Sequence, residues 1–309
     1  MMSGRRNTST KLYDTYLTRW RNFCILHILD VLRPTLPQAL SFLQSLVDSG
    51  LGYSAVNTAR SALSAILLIP GVLSFGAHAD VMLFMKGVFN LRPTRPRYTS
   101  TWDSSTVLNF LERWTPASEL TLEKLTMKLM MLILLITGQR PQLLTKLDIA
   151  RMKTTVDTFE FVLEITDYKQ GRVNYKPGVI ILKHYPANKR LCVFHYLQIY
   201  IQRTALLRRE HTMLFLTHKK PHRPVSQNSV ARWLKTVLHL AGVDTSTFTA
   251  GSVRSASASK AKEQGAPIHQ IMDMGGWTRE STFSKFYDRT ILPTPVAHRV
   301  LDATHDKEL

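Results

Sequence analysis

Acidic residues are scarce in this chain: 22 Asp and Glu stand against 40 Lys and Arg over 309 residues, a formal net charge of +18. Such an excess is beyond what solubility alone requires and points to a polyanionic partner. Nucleic acid comes first, because phosphate neutralisation by Lys and Arg supplies most non-specific affinity. An acidic membrane surface ranks second, since no basic amphipathic anchor stands out. Cysteine is nearly absent, with only Cys24 and Cys192. Their number and spacing exclude a disulfide framework and a zinc site, and they fit a reducing compartment. Long apolar runs are lacking too. The longest, Leu129 to Ile136, is too short to span a bilayer. Met1 to Thr10 is basic and polar without an apolar core of the secretory kind, so a soluble, non-secreted protein is expected. Gly and Pro number 14 each, there are no internal repeats or low-complexity tracts, and 44% of residues are hydrophobic. That composition packs a real core.

What is present is helical periodicity. Apolar residues recur at helical spacing in Leu12 to Leu29, Pro37 to Asp48, Ser54 to Ile69 and Ala79 to Phe89, which predicts a four-helix unit over residues 1–92. The basic, proline-containing stretch around Thr94 to Thr99 has no periodicity and reads as part of a linker, 93–102. A second domain then covers 103–309. In it Asp103 is an N-cap for a helix to Trp114, and Thr121 to Ile136 is so apolar that it must be buried. Phe159 to Ile165 and Val179 to Leu182 flank a polar turn and predict a small antiparallel sheet. Helices follow over Asn188 to Arg209, Gln227 to Ala241, Thr249 to Gln264, Pro267 to Met272 and Thr278 to Tyr287. The fold class is mainly α with a small antiparallel sheet in the second domain. His211, His218 and His222 lie close in sequence without cysteine or acidic company, so they read as a surface loop and no metal is expected.

Four positions carry candidate chemistry, and each has a plainer reading. Arg140 follows the apolar helix and a Thr-Gly turn, so its guanidinium leaves a rigid element; an arginine there also suits the helix dipole. Arg254 lies among small residues in Ser252-Val253-Arg254-Ser255-Ala256, which let a phosphate approach closely, although a solvated helix position explains it equally well. Two such arginines can hold one phosphodiester and stabilise the charge of a pentacoordinate transition state. Lys169 sits in the turn between the two expected strands, where an ammonium can protonate a leaving 5′ hydroxyl. A solvated turn lysine is the alternative, and Arg172 and Lys176 compete for the role. Tyr287 follows Phe283 and Phe286, a spacing that usually marks core.

The order of these parts carries a resemblance. "TGQR" at Thr137 to Arg140, "SVRSASASKA" at Ser252 to Ala261, "GGWTRESTFSKFY" at Gly275 to Tyr287 and the basic linker closed by "TSTWD" together resemble the tyrosine recombinase, or phage-integrase, superfamily. The chain looks most similar to recombinases of DIRS-like retrotransposons, over nearly its whole length. The resemblance implies the two-domain architecture of that family: a helical core-binding, DNA-binding domain followed by a catalytic domain. It implies metal-free and ATP-free strand exchange on double-stranded DNA, in which a tyrosine attacks the scissile phosphate, forms a 3′ phosphotyrosyl bond and frees a 5′ hydroxyl. By that resemblance Arg140 and Arg254 match the phosphate-clamping arginines and Lys169 the strand-turn lysine. Trp277 takes a position held by histidine or tryptophan, with an indole N–H for a phosphate oxygen, and Tyr287 is the nucleophile. A homo-oligomer on DNA, a tetramer, follows from exchanging two duplexes. No cofactor and no membrane are implied, and the DNA partner suggests the nucleus.

The chain also departs from the pattern. Three residues before Arg254, where the family carries histidine, stands Gly251. Three residues after Arg140, where an acid is common, stands Leu143. Ser252 is a poor substitute for the missing base. The expectation is therefore an impaired recombinase, the alternative being a catalytically inactive DNA-binding protein derived from one. Arg19, Arg21, Arg60, Lys86, Arg95 and Arg97 are expected phosphate contacts that position a duplex without reading sequence, although solvated helix faces account for those on the N-terminal helices equally well.

Overall fold

A computed structural model describes residues 7–69, 71, 74–93, 98–164 and 178–292. It divides into two compact units, 1–95 and 96–309.

Among the described residues the first unit contains four α-helices, α1 (Asn7–His27), α2 (Leu36–Asp48), α3 (Tyr53–Leu63) and α4 (Ala79–Leu91). The start of α2 is written in its sequence. Thr35 accepts from the Gln38 backbone N–H, and the Gln38 side chain accepts from the Thr35 N–H, a reciprocal capping box with Pro37 in the first turn. The core is built on Trp20, Phe42, Leu43, Val56, Leu63 and Phe75, and the Trp20 indole N–H is satisfied by the Val31 carbonyl at 2.9 Å. The third helix is shorter than the run Ser54 to Ile69 predicts. The Ser64 hydroxyl donates back to the Arg60 carbonyl, and the Leu68 N–H bonds to the Leu32 carbonyl. Leu68 is thus recruited by another segment and cannot continue the ladder.

The second unit is built around a helix enclosed on all sides. After β1 (Ser100–Thr101) and α5 (Ser104–Glu112) comes α6 (Leu122–Thr137), twelve of whose sixteen residues are buried. Asp103 caps α5 through the Ser105 N–H. Beyond α6 lie β2 (Met152–Thr154), β3 (Thr158–Val162), β4 (Val179–Lys183), α7 (Val193–Thr204), α8 (Gln227–Leu240), α9 (Val253–Glu263), α10 (Ile268–Gly275), α11 (Glu280–Phe286) and β5 (Thr290–Ile291). Helices α7, α8 and α9 pack around α6. The strands form an antiparallel sheet in the order β2-β3-β4, with Phe159 opposite Leu182 and Phe161 opposite Ile180. These four side chains are buried, because alternation puts one face on the core. Strands β1 and β5 pair in parallel.

Three details differ from the sequence-based expectations. The sheet has a third strand, β2. The segment Asn188 to Arg209 is not one helix, since extended backbone at Cys192 separates a 3₁₀ turn at Lys189–Leu191 from α7. The end of the stretch read as a linker, Tyr98 to Trp102, belongs to the second unit: it supplies β1, and Trp102 is buried. Cys24 and Cys192 are both buried free thiols. Among the described residues no helix is long and apolar enough to cross a membrane.

Candidate active site

The end of α6 fixes the first arginine. Gly138 terminates the helix in the left-handed region at φ 57°, a conformation that costs glycine nothing. Gln139 then anchors the turn by donating to the Met274 carbonyl at 2.8 Å. Arg140 follows in extended backbone, ahead of a 3₁₀ turn at Pro141–Thr145.

Arg254, on the first turn of α9, reaches the same place from the opposite side. It is 2% exposed, and its Nη1 donates to the Gly138 carbonyl at 2.8 Å. Close approach of α9 to α6 is possible because Ser257 is small and donates its hydroxyl to the Leu135 carbonyl. Two carbonyls at the C-terminal end of α6, which no intrahelical donor reaches, are thus satisfied by side chains of α9.

The guanidinium of Arg254 lies over one aromatic ring and beside a second. Its Cζ lies 3.9 Å from the Trp277 ring centroid and 4.9 Å from that of Tyr287, and the two rings are themselves 4.8 Å apart. Trp277 can occupy this position because residue 275 is glycine: a Cβ there would stand 1.9 Å from the indole Cζ3. Burial, then the neighbouring Arg140 charge, pulls the Arg254 pKa down to about 10, with Tyr287 acting in the opposite sense. Arg254 Nε and Nη2 and Trp277 Nε1 are buried and have no hydrogen-bond partner among the described residues. Polar atoms so placed are rare unless a ligand completes them.

Arg140, Arg254, Gly251 and Tyr287 line one cleft of about 560 Å³. Tyr287 is half-buried at the C-terminal end of α11, and its backbone carbonyl accepts from the Ser259 hydroxyl at 3.0 Å. Helix α8 supplies a further wall through Gln227, Arg232 and Lys235. Among the residues lining the cleft four are cationic and none is a carboxylate, so it favours an anion. The side chains at 227 and 235 share one stripe of α8, two i,i+4 steps apart. Position 231 between them is alanine and Arg232 lies off that stripe, so no local pattern singles these residues out.

Gly251 sits in the turn before α9. Its φ is not positive, and a Cβ built on it would meet only Thr249 Oγ1, at 3.8 Å. Nothing in backbone or packing calls for glycine there. Ser252 cannot serve in place of a histidine, because its buried hydroxyl accepts from the Trp102 indole at 2.8 Å and donates to the Thr249 carbonyl at 2.7 Å. Leu143 is buried.

The remaining candidates fall outside this cluster. Lys169, with its rivals Arg172 and Lys176, lies outside the described residues, as do Arg95 and Arg97. Arg19, Arg21 and Lys86 are exposed. Arg60 is half-buried and donates Nη1 to the Gly76 carbonyl at 3.1 Å, which holds α3 to the chain before α4. His218 stacks on Trp233 and approaches Glu123 at 3.4 Å, and His222 bonds the Thr217 carbonyl. Among the described residues no group of three potential metal ligands is assembled.

Comparison with known proteins agrees on the fold. A sequence model described as the phage integrase family matches residues 107–290, and among curated proteins nothing matches. Solved structures are similar over both units. A lambda integrase (75–356) dimer bound to a COC′ core site shares 16% identity over 95% of this chain and 93% of its own, with a TM-score of 0.56. The XerH site-specific recombinase in a pre-cleavage complex with difH shares 15% over 89% and 71%, at 0.54. The Tn1549 transposon integrase with transposon right-end DNA shares 15% over 87% and 85%, at 0.51. With a family match that spans more than half of its length and carries the arginine, tryptophan and tyrosine segments around the cleft, the chain belongs to the phage integrase family of tyrosine recombinases.

Proposed function

We propose that this chain binds double-stranded DNA and transfers its strands through Tyr287. The tyrosyl oxygen, its proton released to water, attacks a phosphodiester held by Arg140 and Arg254. The new bond is a 3′ phosphotyrosyl ester and the bond broken is that to the 5′ oxygen, which takes a proton and leaves as a hydroxyl. The two guanidinium groups neutralise the charge that builds on the non-bridging oxygens, and the Trp277 indole N–H adds a neutral donor. Lys169 is the proposed proton source for the leaving oxygen. Rejoining is the reverse attack by a 5′ hydroxyl, so the ester conserves the bond energy and neither metal nor nucleotide is required. The observation that carries the reading is the set of three buried N–H groups without a partner, Arg254 Nε and Nη2 and Trp277 Nε1, grouped with the Tyr287 ring. They suit a phosphate beside a nucleophile.

The finer features belong to the same proposal. The protein acts as a tetramer on paired duplexes, in the nucleus, and derives from a DIRS-like retroelement; the neighbours' DNA-bound and oligomeric states, among them a lambda integrase tetramer on a Holliday junction, are compatible with that assembly. Exposed Arg19, Arg21 and Lys86, with Arg95 and Arg97, contact backbone phosphates.

A second reading is favoured by one observation. Gly251 leaves the cleft without an imidazole and the Ser252 hydroxyl is committed elsewhere, so the chain retains DNA binding while covalent chemistry is slow or lost. The experiment is adduct formation on DNA nicked beside the scissile phosphate, read on denaturing gels for wild type, Tyr287→Phe and Gly251→His. A covalent product in wild type or Gly251→His that disappears with Tyr287→Phe supports strand transfer. Salt-sensitive binding with no adduct in any variant supports the binding protein.

A further inference from the structure

The residues by which the chain enters the second unit bond to the segments that flank Arg254 and Tyr287. Trp102 is 5% exposed, and its indole N–H donates to Ser252 Oγ at 2.8 Å, which in turn donates to the Thr249 carbonyl. The Tyr98 hydroxyl lies 2.8 Å from Thr249 Oγ1 and accepts from the Thr249 N–H at 3.1 Å. These bonds bracket the turn 249–252, and Arg254 lies two residues beyond it. The same short segment runs on as β1, pairing Ser100 with Thr290 and Thr101 with Ile291, while the Leu292 N–H bonds to the Thr101 carbonyl at 2.7 Å. Thr290 lies three residues beyond Tyr287. Asp103 completes the contact with α9 through Lys260 at 3.2 Å.

A two-residue parallel pair contributes little to stability on its own. Its effect is geometric: it joins the chain after the tyrosine to the turn before the arginine through one rigid indole. We propose that Trp102 is a positioning residue, setting the Tyr287 hydroxyl relative to the Arg254 guanidinium through its bond to Ser252 and the adjoining β1–β5 pair. This rests on the strand-transfer reading. A misplacement of about 1 Å far from the chemistry can cost about 10²-fold in rate, so one buried indole bond is enough to matter.

The test uses the full chain in a parent that forms adduct, wild type or Gly251→His. Trp102→Phe keeps an aromatic ring in the core and removes the donor with part of the indole's volume, and Ser252→Ala removes the acceptor together with its own bond to Thr249. Val107→Ala serves as a control, a buried truncation in α5 without a bond to the turn. DNA affinity, melting temperature and the single-turnover rate of adduct formation on saturating nicked DNA are measured for each. The expected result is a rate lowered about 10- to 100-fold in both Trp102→Phe and Ser252→Ala, affinity within about twofold of the parent, and no such loss of rate in Val107→Ala at an equal or larger drop in melting temperature. Equal rates in Trp102→Phe and the parent overturn the positioning role and leave strand transfer standing. Rates that track melting temperature across all three variants overturn it as well. No adduct from either parent overturns the strand-transfer reading and the positioning role together.

Discussion

Arg254 lies over the face of Trp277, its Cζ 3.9 Å from the ring centroid, and among the described residues no carboxylate pairs with it. A desolvated cation on an indole gains about 2 kcal/mol, which offsets part of its burial without using its N–H edge. Pairing with an acid would have neutralised the guanidinium and closed that edge. The aromatic stack holds the charge and leaves the donors free.

An anion is therefore expected to stabilise the protein through this residue. Raising inorganic phosphate at constant ionic strength should raise the wild-type melting temperature by a few degrees. Arg254→Met removes a buried unpaired charge and should melt no lower than wild type without phosphate, because the lost bond to Gly138, about 1 kcal/mol, and the lost contact with the indole, about 2 kcal/mol, are together smaller than the desolvation relieved. Its response to phosphate should largely vanish. An equal response in both proteins would mean that the ion acts elsewhere.

Gly275→Ala should be destabilising. The added Cβ meets the indole six-ring at 1.9 Å, and displacing that ring costs about 1–3 kcal/mol, read as a shift of the denaturation midpoint. Because Trp277 moves, tryptophan emission should change in the folded state. A variant as stable as wild type with an unchanged spectrum would contradict the packing described.

Gly251→Ala and Gly251→His should both fold with stability within about 0.5 kcal/mol of wild type, since the backbone is not left-handed and the Cβ direction is open. Restoring an acid/base group should raise the rate of adduct formation by ~10²- to 10⁴-fold. Denaturant midpoints and single-turnover rates check the two parts separately. A destabilised alanine variant would show that glycine is required by the fold after all.

Lys128 gives a pH signature unrelated to the cleft. It is fully buried on α6, its Nζ bonded to the Trp114 carbonyl and the Tyr196 hydroxyl, both at 2.7 Å. Burial lowers its pKa to about 7, with Glu112 opposing and Arg190 adding to the effect. The unfolded chain keeps its proton up to about 10.5, so between pH 7 and 10 it binds more protons than the folded one, and stability should rise with pH across that window. Below pH 7 both states are protonated and the burial cost is felt in full. Lys128→Met should flatten the rise, with its largest relative gain at pH 6. Urea midpoints at pH 6, 7.5 and 9 provide the measurement, and parallel curves for the two proteins would exclude Lys128 as the source.

Long periodic segments were legible from sequence because a buried face needs many residues to declare itself: α6 and α8 stand close to where their apolar spacing puts them. Strands β1, β2 and β5 were not, since two or three residues carry no alternation, and the β1–β5 pairing is in addition fixed by distant chain. Of the site, Arg140, Arg254, Trp277 and Tyr287 could be singled out, although only their order along the chain raised them above ordinary helix residues. What no local pattern contains is the convergence of segments more than a hundred residues apart. The Trp102–Ser252 bond spans 150 positions, and the α8 wall of the cleft depends on how that helix is rolled. Arg60 shows what else is hidden from sequence, a cation with one of its N–H groups on the Gly76 carbonyl in the fold.

Helix α9 carries a last consequence. Three of its buried residues are serines, and their hydroxyls go to three different places: Ser255 to the Ser252 carbonyl, Ser257 to Leu135 on α6, and Ser259 to Tyr287 beyond α11. Aliphatic side chains at these positions would slide over their neighbours with a gradual loss of contact. Hydroxyls do not, because each bond weakens steeply off its axis. A roll of α9 by one residue, about 100°, would break the bonds to Leu135 and Tyr287 together, while the Ser255–Ser252 bond, local to the start of the helix, would turn with it. The helix that carries Arg254 therefore has one seat, with no alternative a full residue away.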